Sequence, residues 1–183
     1  MASSTKEMLA KALKELLNNN TIDNITVQNI ADNAYVSRKT FYYHFKDMYD
    51  LLEWTLQQDA EAVIAGNTTI DTWQKGLINI FSYCEENNKL IFNIYHSVRR
   101  EILEGYVCKA VKPVVWEIMQ GEPNYEGLAK EDIEFIIEFY ALGITGLFMK
   151  WVGDEMKTEP ELIVAKLEQF FCGSLKNLIE KAK

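Results

Sequence analysis

Residues 26–50 read TVQNIADNAYVSRKTFYYHFKDMYD, and the rest of the chain is understood outward from them. Thr26 is a good capping residue, and Val27, Ile30 and Ala31 follow it at helical spacing. After a tight break, Ser37 caps a second short helix carrying Arg38, Lys39, Thr40, Tyr42, Tyr43, His44 and Lys46. Phe41 and Phe45 stand one turn apart as its core anchors. Two helices joined by a turn of a few residues form a helix-turn-helix, whose second helix can enter a DNA major groove.

At 100° per residue, Lys39, Tyr43 and Lys46 face away from the two phenylalanines, with Thr40 and Tyr42 on the flanks. These groups suit a duplex. Lysine meets phosphate or guanine, hydroxyls meet phosphate oxygens, and a ring or methyl touches a thymine methyl. The helix N-terminus adds backbone N–H groups for a phosphate. The competing reading is an amphipathic helix with a solvated basic face.

The chain of 183 residues carries a net charge of −8, but unevenly. Residues 1–50 hold six basic and six acidic side chains; the remainder holds 13 basic against 21 acidic. A neutral segment can grip phosphates while an acidic body stays off the duplex. The acidity therefore leaves DNA binding open and predicts a small, salt-sensitive contact.

An apolar share of 48% and a charged share of 25% suit a folded soluble protein. The N-terminal MASSTKEML has no basic start leading into an apolar core, so no signal peptide is expected. Glu138 and Lys150 interrupt the apolar run Phe135–Val152, which reads as a buried helix and not a bilayer span. Cys84, Cys108 and Cys172 are odd in number and widely spaced, as expected of reduced cytoplasmic thiols without zinc-ligand spacing.

Three prolines, nine glycines and little β-branched alternation predict an all-α fold of about nine helices. Ser4 and Glu7 form a capping box ahead of Leu9, Leu13, Leu16 and Leu17, and Asn18–Asn20 end that helix. Asp47 caps a helix running toward Gly66, and Asp71 with Gln74 opens the next, which ends near residues 85–88. Further helices are expected over about 89–95, 97–119 with a kink at Pro113, 131–153, and from Thr158 and Pro160 onward.

On Ile25–Ala31, Val36–Asp47 and Leu51-Leu52, residues 5–55 closely resemble the DNA-binding head of the TetR (tetracycline-repressor) family. That resemblance implies a head over residues 1–50 and a helical effector-binding and dimerisation domain over 51–183. It implies a bacterial, cytoplasmic, homodimeric transcription regulator, expected to be a repressor, on a palindromic double-stranded operator. Carried over position by position, Lys39, Thr40 and Tyr43 approach base edges. Thr26, Ser37, Arg38, Tyr42, His44 and Lys46 hold phosphates. The chain departs from the family at Tyr35, where glycine is usual in the turn.

In arrangement, LLEW after the head and FYALGITGLFMKW near the end are similar to a TetR branch that includes regulators of dihydroxyacetone kinase operons. Trp54, Phe81, Phe92, Tyr95, His96 and Trp116 are candidates for a pocket that takes a small-molecule effector, or else ordinary core residues. Gly143, Gly146, Phe148, Phe170, Phe171 and Gly173 are candidates for the dimer interface, the alternative being the core of a monomer. His96 beside Arg99 and Arg100 either meets an anion or ends a helix in solvent. Neither His44 nor His96 has a cysteine or carboxylate at catalytic or metal-binding spacing, and no phosphate loop or nucleophile elbow occurs. No enzyme activity, metal or cofactor is expected. Two alternatives remain: a helical dimeric interaction module whose head no longer binds DNA, and an activator controlled by a partner protein.

Overall fold

A computed structural model describes residues 4–69, 71–121 and 125–181, with the backbone alone at 126 and 171–181. Nine α-helices run through the described residues: α1 Thr5–Leu17, α2 Val27–Asn33, α3 Arg38–His44, α4 Met48–Ile64, α5 Trp73–Glu86, α6 Asn88–Ser97, α7 Arg100–Gln120, α8 Lys130–Gly153 and α9 Pro160–Lys181. Short 3-10 turns occur at Ile22–Asn24 and Tyr125–Gly127, and the described residues contain no strand. The all-α expectation holds.

Side-chain caps set the first four helix starts, whereas α6 and α8 begin without one. Ser4 accepts the N–H of Glu7 at 3.3 Å and Glu7 accepts that of Ser4 at 2.9 Å, which closes the expected capping box. Ser37 accepts the Thr40 N–H, and Asp47 accepts the Asp50 N–H. One start lies elsewhere: α5 begins at Trp73, behind a turn in which Thr69 and Thr72 exchange hydrogen bonds, instead of at Asp71.

The chain forms two compact units, Met1–Asp59 with Asn87–Tyr106, and Ala60–Glu86 with Val107–Lys183. In the first unit α1 packs on α2 and α6, and α2 packs on α3. Leu9, Leu13, Leu17, Ile22, Ile30, Phe41, Leu51 and Leu52 are buried there with Leu90 and Ile94 of α6. Asn93 on α6 donates to the carbonyl of Leu17 at 2.7 Å, and Ser97 accepts the Ile22 N–H at 3.2 Å. The segment around α6 thus completes the packing of the head and satisfies its open backbone groups.

In the second unit α5 packs on α9. Phe81 lies edge-on to Trp151, with centroids 4.6 Å apart, and 5.9 Å from Phe148. Trp151 Nε1 donates to the Thr158 carbonyl at 2.8 Å, fixing the turn between α8 and α9. The expectation of a buried helix over 135–152 holds for one side only. α8 buries Ile136, Tyr140, Ala141, Thr145, Met149 and Val152, but leaves Phe135 (70% exposed), Phe139 (62%), Leu142 and Leu147 open on its other side. A helix apolar all round cannot reveal from sequence which side its neighbours cover.

Candidate nucleic-acid interface

The helix-turn-helix is built from two capped helices and one strained turn. Thr26 accepts the N–H of Asn29 at 3.2 Å, and the Asn29 side chain accepts the N–H of Thr26 at 2.9 Å. This reciprocal cap fixes the start of α2. Its end is a Schellman motif: the Val36 N–H donates to Ala31 O at 2.9 Å and the Tyr35 N–H to Asp32 O at 3.1 Å. Such an end needs a left-handed residue, and Tyr35 supplies it with φ 55°. A tyrosine there costs about 1 kcal/mol relative to glycine.

Phe41 is fully buried and anchors α3 from behind, its ring 6.1 Å from that of Phe45. Phe45 is buried as well, but the helix ends before it, at His44. Phe45 is extended (φ −138°, ψ 139°), so Lys46 does not lie on the helical face that the sequence suggests. The reason is local: the Lys46 N–H donates to Asp50 at 2.8 Å, as part of the start of α4. The i, i+4 pair of phenylalanines looks helical in sequence, yet Phe45 reaches the same core from outside the helix.

On the outward side, Lys39 is exposed and Tyr43 is 83% exposed. Thr40 is half-buried, and its hydroxyl lies 2.9 Å from that of Ser37. Arg38 Nη2 donates to the Tyr42 hydroxyl at 3.4 Å, with the guanidinium carbon 5.8 Å from the ring centroid. That contact holds two of the anticipated phosphate ligands side by side. His44 is half-buried and lies edge-on to Tyr43, with ring centroids 5.0 Å apart.

Four cations of the first unit are already engaged, among them every lysine of α1. Lys14 lies 2.8 Å from Asp59, Lys11 lies 3.9 Å from Glu15, and Arg100 lies 2.7 Å from Glu104. Lys6 sits 5.4 Å from the Phe45 ring and 5.6 Å from that of Trp54. Arg38, Lys39 and Lys46, by contrast, have no carboxylate partner among the described residues. The structure gathers three uncompensated cations, exposed hydroxyls and an exposed ring at α3. An anionic polymer could be held by that set, with the Tyr43 ring free to meet a base edge.

The proposed pocket residues divide between the units. Trp54 packs 5.8 Å from Phe45, while Phe92 and Tyr95 both pack on His96, all in the first unit. In the second, Phe81 is committed to Phe148 and Trp151, and Trp116 meets Tyr125 edge-on. Of the interface candidates, Gly143, Gly146 and Phe170 are exposed, whereas Phe148 is turned inward against Phe81 and Trp151. Phe171 and Gly173 lie in the stretch of α9 described by its backbone alone, so the side chain of Phe171 is outside the described residues. Sequence reasoning missed Phe135 and Phe139, whose exposed rings stack with centroids 6.3 Å apart. Their i, i+4 spacing with Leu142, Gly143, Gly146 and Leu147 was the available signal.

Two stretches match known families. Residues 9–54 match "Bacterial regulatory proteins, tetR family", and residues 71–173 match "Transcriptional regulator C-terminal region" of the TetR type. Over 83 residues the chain is 34% identical to the HTH-type dhaKLM operon transcriptional activator DhaS of Lactococcus lactis subsp. lactis (strain IL1403). That stretch is 45% of this chain and spans less than half, 44%, of that relative. Among solved structures, a dihydroxyacetone kinase operon activator DhaS aligns with TM-score 0.67 at 21% identity, over 94% of this chain and 96% of that one. The TetR family repressor AlkX from Dietzia sp. strain DQ12-45-1b aligns with TM-score 0.57 at 16% identity, over 96% and 97%. These structural likenesses concern the fold. With the head matched over residues 9–54 and the body over 71–173, the chain belongs to the TetR family of bacterial regulatory proteins.

Proposed function

We propose that this chain is a cytoplasmic, homodimeric regulator of transcription that binds a palindromic operator through α3 and is switched by an effector in its C-terminal helices. One observation carries the reading: Arg38, Lys39 and Lys46 stand without carboxylate partners around an exposed Tyr43, while the head's other cations are engaged. In this reading Lys39, Thr40 and Tyr43 read bases. Thr26, Ser37, Arg38, Tyr42, His44 and Lys46 hold phosphates. The polypeptide has no catalytic role.

The head spans residues 1–50 and the effector-binding and dimerising body 51–183. Two heads on one face of B-DNA must stand about 34–36 Å apart, which a dimer of fixed geometry supplies. The exposed apolar side of α8, with Leu162 and Phe170 of α9, is the surface a second copy covers. Although α8 is long and apolar enough to cross a bilayer, burial against a second copy satisfies the same surface in water. The effector acts only through unequal affinity for operator-competent and incompetent dimers.

Repression by occluding a promoter is the simplest outcome of operator binding. A second reading, activation, is favoured by the relative that shares 34% identity, which is named an activator. The deciding experiment is a mobility shift with DNA from upstream of the protein's own coding sequence, followed by a reporter assay for sign. A complex that survives excess unrelated DNA is expected. Equal affinity for upstream and unrelated DNA would remove the operator, and binding to neither would leave the interaction-module reading in its place.

A further inference from the structure

Tyr35 is the strained residue of the helix-turn-helix, at φ 55° in a position that suits glycine. Its own N–H is taken by Asp32, so the backbone holds it there. Its side chain, however, is 92% exposed and makes no hydrogen bond, ring contact or ion pair among the described residues. In the free protein the strain is therefore offset by nothing that the tyrosine itself touches. Other exposed aromatic side chains of the head differ: Tyr42 is held by Arg38, and Tyr43 packs on His44. An uncompensated backbone outlier next to a binding helix points to a contact made only in the complex.

The location restricts what that contact can be. Tyr35 stands in the turn two residues before Ser37, which caps α3, and not on the helical face of Lys39 and Tyr43. With α3 in a groove, the turn ahead of it meets the sugar–phosphate wall. A phenol offers a flat apolar ring to a deoxyribose and a hydroxyl donor to a phosphate oxygen.

Resting on the DNA-binding reading above, we propose that Tyr35 is a further DNA-backbone contact, its hydroxyl donating to a phosphate at the edge of each half-site. The contact is neutral. It strengthens binding to every sequence alike and displaces no counterion.

The test is fluorescence anisotropy on two probes. One is a duplex from upstream of the protein's own coding sequence, and the other an unrelated duplex of equal length, each across a salt series. Tyr35→Phe and Tyr35→Gly should weaken both duplexes by at least roughly 10-fold for each half-site engaged, the size of one hydrogen bond to a charged oxygen. Their salt slopes should match wild type. Tyr35→Gly should also melt a few degrees higher than wild type, which separates lost contact from lost structure. Wild-type affinity in Tyr35→Phe, or a lower melting temperature in Tyr35→Gly, overturns the proposal. Lys39→Ala serves as the control. If it loses upstream affinity while both Tyr35 variants bind normally, this inference alone fails. If wild type binds neither duplex, the DNA-binding reading fails and takes this one with it.

Discussion

Asn93 Nδ2 donates to the carbonyl of Leu17 at 2.7 Å, joining residues 76 positions apart. The acceptor sits at the C-terminal end of α1, where helix carbonyls lack intrahelical donors. A side chain of α6 thus does for α1 what a local cap would otherwise do. Replacing Asn93 by Ala should strand that half-buried carbonyl and cost about 1–2 kcal/mol. Chemical denaturation of the whole protein checks it; an unchanged midpoint would show that water replaces the amide without loss.

Lys39, Tyr43 and Lys46 are exposed, yet they should respond differently in a binding assay. Lys39→Ala and Tyr43→Ala should each lose about 1–3 kcal/mol on the operator and little on unrelated DNA. Lys46→Ala should weaken all duplexes and reduce the salt slope by about one. Titrations at several ionic strengths distinguish the two behaviours. Loss of slope in Tyr43→Ala would show the reading face to be misassigned.

Phe139 is 62% exposed beside Phe135 in the middle of an apolar helix face. A glutamate there would have to be desolvated in any dimer that covers this face. Phe139→Glu should therefore run as a monomer in size exclusion with light scattering, with wild-type helical circular dichroism. A dimer of unchanged mass would move the interface elsewhere.

Gly76 allows a close backbone approach. A Cβ built on it would lie 2.4 Å from the carbonyl oxygen of Asn67, nearer than real contacts allow. The obstacle is main chain and cannot rotate away. Gly76→Ala should destabilise the protein by about 1–3 kcal/mol through a shift of the loop after α4. A thermal melt at wild-type temperature would mean that this loop moves freely.

Burial pushes the Cys84 thiol up from 9.0 to about 12, with the neighbouring Glu85 carboxylate adding to the effect. The unfolded thiol ionises first, so the stability this group contributes below pH 9 declines as pH rises toward 12. Cys84→Ala should lack that decline. The difference in unfolding free energy between wild type and variant, followed from pH 8 upward on the order of one unit at a time, should narrow or reverse against wild type. A constant difference would mean that the thiol is hydrated in the folded state.

Some of this was legible because it depends on neighbours in sequence. The Ser4–Glu7 box, the caps at Thr26 and Ser37 and the left-handed demand at position 35 act over five residues or fewer. That is why the helix-turn-helix and its outward groups could be named from the letters alone. The end of α3 was misread for a related reason: two local signals compete there, the aromatic i, i+4 spacing and the acceptors of Asp47 and Asp50, and the acceptors win.

By itself the sequence determined the all-α class, the helix-turn-helix and its family, since these follow from periodicity and short-range capping. Only tertiary packing decided that α6 completes the head, that Lys14 has a carboxylate partner while Arg38, Lys39 and Lys46 have none among the described residues, and which side of α8 stays open. Those outcomes depend on contacts between residues tens of positions apart. Where a helix is apolar all round, or a lysine is one of several, the side it presents is settled by the partner that happens to pack there.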